Sequence, residues 1–208
     1  STSGLRDVVF QSGNGFIVGE NSILYFSSDS GSTWTAATSP ASSNFIRGFL
    51  LPNGKGFAVG TGGVLITTGD FGQSWSALDT GVSVDLFDVY FWDSMNGFIV
   101  GDGGIILRTK NGGFSWLQAT SPTASDLLTV YADPSSSNYG FAAGASQTVI
   151  AANIDIELQY LYPRAGSTGA AGPSIWRTRW ESDNYGDVDV SEVIFTYKIV
   201  EGVGGTGG

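Results

Sequence analysis

The chain has 208 residues and a net charge of −10 with only nine Lys plus Arg, so it lacks the basic stripe that nucleic acid or an anionic membrane surface would need. It contains no Cys and no His, which excludes disulfides, thiol chemistry, Ser-His-Asp schemes and the usual zinc, copper and haem sites, leaving only all-oxygen calcium or magnesium sites open. Hydrophobic residues at 41% supply a sizeable core, 31 glycines against six prolines point to many tight turns, and no apolar run approaches the ~20 residues of a membrane-spanning helix.

Along the chain, Gly15-Phe16-Ile17-Val18-Gly19 opens a motif that returns at a step of 41 residues as Gly56-Phe57-Ala58-Val59-Gly60 and Gly97-Phe98-Ile99-Val100-Gly101. Each copy is followed by an octet: Ser27-x-Asp29-x-Gly31-x-Thr33-Trp34, Thr68-x-Asp70-x-Gly72-x-Ser74-Trp75 and Thr109-x-Asn111-x-Gly113-x-Ser115-Trp116. Self-similarity at this period signals a propeller or a solenoid. The third copy shows the unit in full. Leu86 to Trp92 reads as a strand buried on both faces, Asp93 to Asn96 as a turn, and Gly97 to Gly101 as a second strand. Asp102-Gly103-Gly104 then turns the chain, Ile105 to Thr109 is a third strand, and Ser115 to Gln118 begins a fourth. Four antiparallel strands per repeat without helical periodicity describe one propeller blade, and fit a solenoid less well.

The residue types suggest their roles. Gly19, Gly60, Gly101 and Gly144 each close a second strand and are expected to use glycine's access to positive φ. In the octets, the side chains of Asp29, Asp70 and Asn111 are expected to accept hydrogen bonds from turn amides two residues on. Gly31, Gly72 and Gly113 supply the permissive dihedral and the hydroxyls tie the strand. Trp34, Trp75 and Trp116 fill space between blades.

These octets match the Asp-box, and the whole repeat, from about Leu5 to Asn153, resembles the photosystem II assembly-factor family of propellers; related boxes occur in sialidases and sortilin-type receptors. The resemblance implies that the box is a structural hairpin lock, away from any active site. Asn111 departs from the pattern in a way that an amide-accepting turn tolerates. A sialidase would need an arginine cluster and a tyrosine-glutamate pair. Arg6 and Arg47 stand at equivalent places, but Asp88 breaks the set and no such pair is evident, so an enzyme is not expected.

A fourth copy starts with Leu127 to Ala132 and Gly140-Phe141-Ala142-Ala143-Gly144, without a box. Ile154 to Tyr160 alternates like a half-buried strand, and Gly166 to Pro173 is the best boundary in the chain. The division expected is therefore 1–165 for the propeller repeats and 166–208 for a divergent β-segment, either a fifth blade or an assembly arm. Trp176, Trp180, Phe195 and Tyr197 are its apolar anchors. Asp183, Asp187, Asp189 and Glu192 lie in a stretch with the length of a calcium loop, although a solvated acidic loop is the preferred reading, and no metal or other cofactor is expected. Trp92, Trp176 and Trp180 are candidates for stacking on sugars, with packing again preferred.

The fold expected is thus all-β, a small Asp-box propeller of four clear repeats with a C-terminal β-segment. The function expected is a non-enzymatic platform for protein partners, in a homo-oligomer or larger assembly. Assembly-factor-like repeats also occur in bacteriophage structural proteins. The short array and the non-repeat segment favour a phage tail or other virion component, in a virion or extracellular setting. An assembly factor for a membrane complex and an extracellular glycan-binding lectin remain alternatives. A binding face is expected opposite the boxes, at the turns around Asn21, Gly62, Gly103 and Ser146 with the links near Ser42, Gly81 and Thr123.

Overall fold

The computed structural model describes residues 4–133 and 139–153. The strand expected at Ile154 to Tyr160, the boundary at 166, the acidic loop and the apolar anchors of the C-terminal segment lie outside the described residues. The described residues are all-β. Blade 1 contains β1 (Leu5–Gln11), β2 (Asn14–Gly19), β3 (Leu24–Ser27) and β4 (Thr35–Ala36). Blade 2 contains β5 (Phe45–Leu50), β6 (Gly56–Gly60), β7 (Leu65–Thr68) and β8 (Ser76–Leu78). Blade 3 contains β9 (Leu86–Phe91), β10 (Gly97–Gly101), β11 (Ile106–Thr109) and β12 (Leu117–Ala119), and blade 4 contains β13 (Leu127–Asp133), β14 (Tyr139–Gly144) and β15 (Val149–Asn153). Within each blade the strands pair antiparallel in chain order. The first strand of each blade is the inner one, since β1 lies against β5, β5 against β9 and β9 against β13. No contact of comparable extent joins β1 to β13, so the described blades form an arc with two ends.

Both faces of an interior blade are covered, which explains why every residue of Gly56–Gly60 and of Gly97–Gly101 is buried. Alternation along the strand sends neighbours to opposite sides. Phe57 and Val59 join a core with blade 3, whereas Ala58 joins a core with blade 1. Three such cores result, one at each junction between consecutive blades. None is internal to a blade. The phenylalanine of the Gly-Phe motif is the knob of each junction: Phe16, Phe57 and Phe98 are 1%, 0% and 3% exposed. Burying one such ring contributes about 1.5–3 kcal/mol.

Glycines form the sockets. A Cβ on Gly48, Gly56 or Gly72 would come within 2.7–2.8 Å of Phe16, and Trp75 meets that ring edge-on at 4.9 Å. In blade 3, Phe57 stacks on Phe91 at 4.6 Å and lies edge-on to Trp116, with a Cβ on Gly113 only 2.5 Å from its ring. The box glycine therefore has two reasons to lack a side chain. Gly72 and Gly113 sit at φ +92 and +78, and each also makes room for the preceding blade's phenylalanine.

The strand-closing glycines work differently from the sequence expectation. Gly19, Gly60 and Gly101 have φ of −163, −168 and −169, which is ordinary extended backbone. Their requirement is steric, because a Cβ there would meet the carbonyl oxygens of Gly4, Asn44 and Asp85 at 2.5, 2.3 and 2.1 Å. Gly144 repeats this against Asp126. The chain reverses two residues later, where Asn21, Gly62 and Gly103 take positive φ.

Candidate functional site

The box hairpins occupy one edge of the arc, each laid against the turn between the first two strands of its own blade. Ser30, Phe71 and Gly112 donate backbone hydrogen bonds to Gly13, Gly54 and Met95. Inside each box two acceptors divide the amides. The Ser27 hydroxyl, 2.9 Å from the Gly31 amide, serves the residue two positions beyond Asp29, while Asp29 reaches further and accepts from the Thr33 amide at 2.9 Å and its hydroxyl at 2.7 Å. Thr68 and Asp70 repeat the division with Gly72 and Ser74. This corrects the expected reach of the carboxylate. The nearer amide faces the buried hydroxyl at the end of the third strand, so the carboxylate spans the turn. Asn111 keeps the acceptor role toward the Ser115 amide at 3.1 Å, and its Nδ2 donates to the Ser115 hydroxyl at 2.8 Å.

Hydrogen bonds from the Thr33 hydroxyl and amide and from Ser27 lower the Asp29 pKa to about 2. For Asp70, burial raises the pKa, but bonds from Ser74 and Thr68 outweigh it and the net shift is downward. Trp75 and Trp116 are 9% and 7% exposed, whereas Trp34, at the end of the arc, is only half-buried. Trp75 and Trp116 fill the blade junctions as expected, whereas Trp34 packs on Phe10 of its own blade; the other box groups described here hold their turns.

The opposite edge carries the turns around Asn21, Gly62, Gly103 and Ser146, all exposed. Three of their amides are not available to a ligand. The Asn21 amide donates to Asn44 Oδ1 at 2.9 Å, Gly62 to Asp85 Oδ1 at 2.8 Å and Gly103 to Asp126 Oδ1 at 3.0 Å. Each bond runs from the tip of one blade to the start of the next, at a constant spacing along the chain. Ser22 and Ser43 add a second tie beside the first. The tips are thus clamped through their backbones, while the side chains at Glu20, Thr61 and Asp102 differ from blade to blade. Asp102 and Asp126 meet side by side, which pushes the Asp102 carboxyl up, while the Gly103 amide holds Asp126 below its ordinary value.

A second set of ties lies on the inner strands. Asp7 of blade 1 accepts from the Gly48 amide of blade 2 at 2.9 Å, and Asp88 of blade 3 accepts from the Val130 amide and the Thr129 hydroxyl of blade 4, both at 2.9 Å. Between them Arg47 Nε approaches Asp88 at 3.4 Å. Burial raises the Asp88 pKa against these hydrogen bonds and the Arg47 charge. Arg6, the equivalent of Arg47, pairs with Glu20. The two arginines are therefore spent on carboxylates of this chain. Beside them Phe49, Tyr90 and Tyr131 form a ladder at 5.2 and 4.9 Å. Neither the clasps nor the ladder was identified from sequence, although Phe49, Tyr90 and Tyr131 share the 41-residue step.

A cavity of about 10 Å³ lies between blades 3 and 4, lined by apolar groups including Phe98, Val100, Val130 and Ala142. Among the described residues no group of three or more Asp and Glu side chains could hold a metal ion. On the box edge, Phe114 and Met95 are 78% and 49% exposed, with Lys55 Nζ 3.9 Å from the Phe114 ring centre.

No protein-family model matches the chain, and no curated protein matches it. Solved structures do. YCF48 bound to a D1 peptide superposes with a TM-score of 0.58 at 23% identity, over 73% of this chain and 50% of that one. YCF48 from Cyanidioschyzon merolae gives 0.55 at 18% identity, over 72% and 53%. An ancestral GH74 enzyme gives 0.58 at 16% identity, over 71% of this chain and 22% of that one. At these identities the likeness is one of fold, a β-propeller. The chain spans about half the length of the YCF48 structures that it matches.

Proposed function

We propose that the arc is a non-enzymatic platform for a protein partner, of the assembly-factor kind. The carrying observation is the tip edge: its loops are clamped by a repeating backbone tie, yet they present side chains that do not repeat. A rigid frame with variable exposed positions is the arrangement in which loops carry recognition. One solved propeller of this fold, YCF48, is bound to a D1 peptide, which supports a peptide segment as the class of partner. With Glu20 neutralised by Arg6, Asp79, Asp102 and Asp126 make the tip edge acidic, so the segment that fits it is basic.

The carboxylates also speak against glycoside hydrolysis, the activity of the GH74 neighbours. Such enzymes hold two carboxyl groups at least ~5 Å apart across a sugar. Asp102 and Asp126 instead lie close enough to shift each other's titration, and Asp88 is buried beneath its own partners. Membership of a virus particle and glycan binding rest on the sequence alone.

Asp102→Asn provides the test, since it removes a charge from the edge while relieving the contact with Asp126. Binding of synthetic lysine-rich peptides, followed by fluorescence anisotropy, should weaken while the melting temperature holds or rises. Asn96→Lys or Phe114→Lys should leave binding unchanged. Loss of binding at those positions instead would move the site to the box edge.

A further inference from the structure

Three positions of the repeat depart from their pattern at one spot on the box edge, where blades 2 and 3 meet. In the turn between the first two strands of a blade, Met95 stands where the other repeats have Gly13 and Gly54, and Lys55 where they have Asn14 and Asn96. In the boxes, Phe114 stands where the others have Ser32 and Gln73. Those two residues have a structural task. Ser32 Oγ and Gln73 Nε2 donate to the carbonyls of Asp29 and Asp70 at 2.9 and 3.0 Å and so close the turn. A phenylalanine cannot make that bond, and its ring is 78% exposed.

The three departures converge. Lys55 reaches from blade 2 and sets its ammonium 3.9 Å from the centre of the Phe114 ring and 5.6 Å from that of Phe57. The place a Cβ would take on Gly112 is 3.7 Å from Lys55 Nζ and 3.8 Å from Met95 Sδ, so the thioether lies beside the same cation. Partial burial of the ammonium lowers the Lys55 pKa, and among the described residues it meets rings but no carboxylate partner. The nearby carboxylates are engaged locally. Asp70 holds its own box, and Asp93 accepts from the Met95 and Asn96 amides at 2.6 and 2.7 Å. A partly desolvated cation without a counter-ion is costly, and apolar surface exposed beside it marks an interaction site.

We infer that this spot is a second recognition site, for a peptide segment of a partner protein that carries carboxylates next to an apolar side chain. A carboxylate pairs with Lys55, and the apolar side chain lies on Phe114 and Met95. Charge complementarity selects the occupant. Lys55 and Lys110, the lysines of the described residues, both stand on this edge, whereas the opposite edge is acidic. The two edges of the arc thus take segments of opposite charge. The inference is independent of the platform reading, because it concerns different residues on the other edge.

The full chain, titrated into a fluorescein-labelled peptide with one leucine flanked by glutamates, should raise its fluorescence anisotropy. The same peptide with serine for leucine should bind about tenfold more weakly. Phe114→Gln installs the residue that box 2 uses to close its turn, so it should abolish binding while the melting temperature holds or rises. Lys55→Gln should weaken binding about tenfold and remove most of its salt dependence. No binding at millimolar protein overturns the inference, as does unchanged binding by Lys55→Gln. So does equal binding of the two peptides, which would reduce the contact to charge alone. A fall in melting temperature with Phe114→Gln overturns it as well, since the ring would then be packed beneath another part of the same chain.

Discussion

Blades 1 and 3 hold the same aromatic pair at nearly the same angle, yet Phe91 is buried and Phe10 is not. The difference is the blade that precedes them. Phe57 covers the pair in blade 3, and no described residue does so in blade 1. The 41-residue unit therefore folds its sheet from its own sequence but obtains its core only from a neighbour, as expected of a quasi-one-dimensional array.

The sharpest way to break that comparison is to remove the knob and its surface counterpart in turn. Phe57→Ala should cost about 3–5 kcal/mol, as for other buried aromatic truncations, whereas Phe10→Ala should cost well under half of that in a monomeric preparation. Urea denaturation midpoints measure both, and equal losses would mean that the junctions are not the seat of stability. The same contrast is expected between Trp75→Ala and Trp34→Ala.

Smaller effects sharpen the picture. Gly101→Ala places a methyl 2.1 Å from the Asp85 carbonyl and should cost about 1–3 kcal/mol through forced displacement of the strand. Gly62→Ala meets nothing within 4 Å and carries only the left-handed penalty of about 1–2 kcal/mol. If Gly62→Ala proved the more damaging in thermal melts, the steric account of the strand-closing glycines would fail. Asp88→Ala leaves the Val130 amide without its acceptor and should cost about 1–3 kcal/mol.

The smallest effect separates the boxes by pH. The folded pKa of Asp29 is lowered from 3.8 to about 2, so its stabilisation is complete above the unfolded value and disappears as pH falls from about 4 towards 2. Asp29→Asn should flatten that part of the stability profile. Asn111 has no such titration, so Asn111→Ala should shift stability equally across the window. Denaturation midpoints collected from pH 5 to 2 would show it.

Much of this was legible in the sequence because periodicity is local information. The repeat step, the strand order and the box positions all follow from residues within one 41-residue unit. Gly97–Gly101 has the predicted bounds, and Leu86–Phe91 ends one residue early. What escaped is what lies between units. Gly19 reads as a turn glycine until the Gly4 carbonyl is seen beside it. Arg47 and Asp88 read only as a matched and a mismatched member of one repeat position until they are found beside each other. Asn21, Gly62 and Gly103 read as free tips because their partners, 23 residues downstream, belong to the next blade.

That separation of 23 residues has a genetic consequence. Donor and acceptor of each tip clamp lie closer together than one repeat, and blades 2 and 3 carry one of each. A tandem duplication of 41 residues that copies blade 2 or blade 3 therefore delivers a complete new clamp with no compensating mutation. Growth of the array by copying DNA is mechanically sound at the moment it occurs, and selection is left to act on the side chains that the clamp does not use.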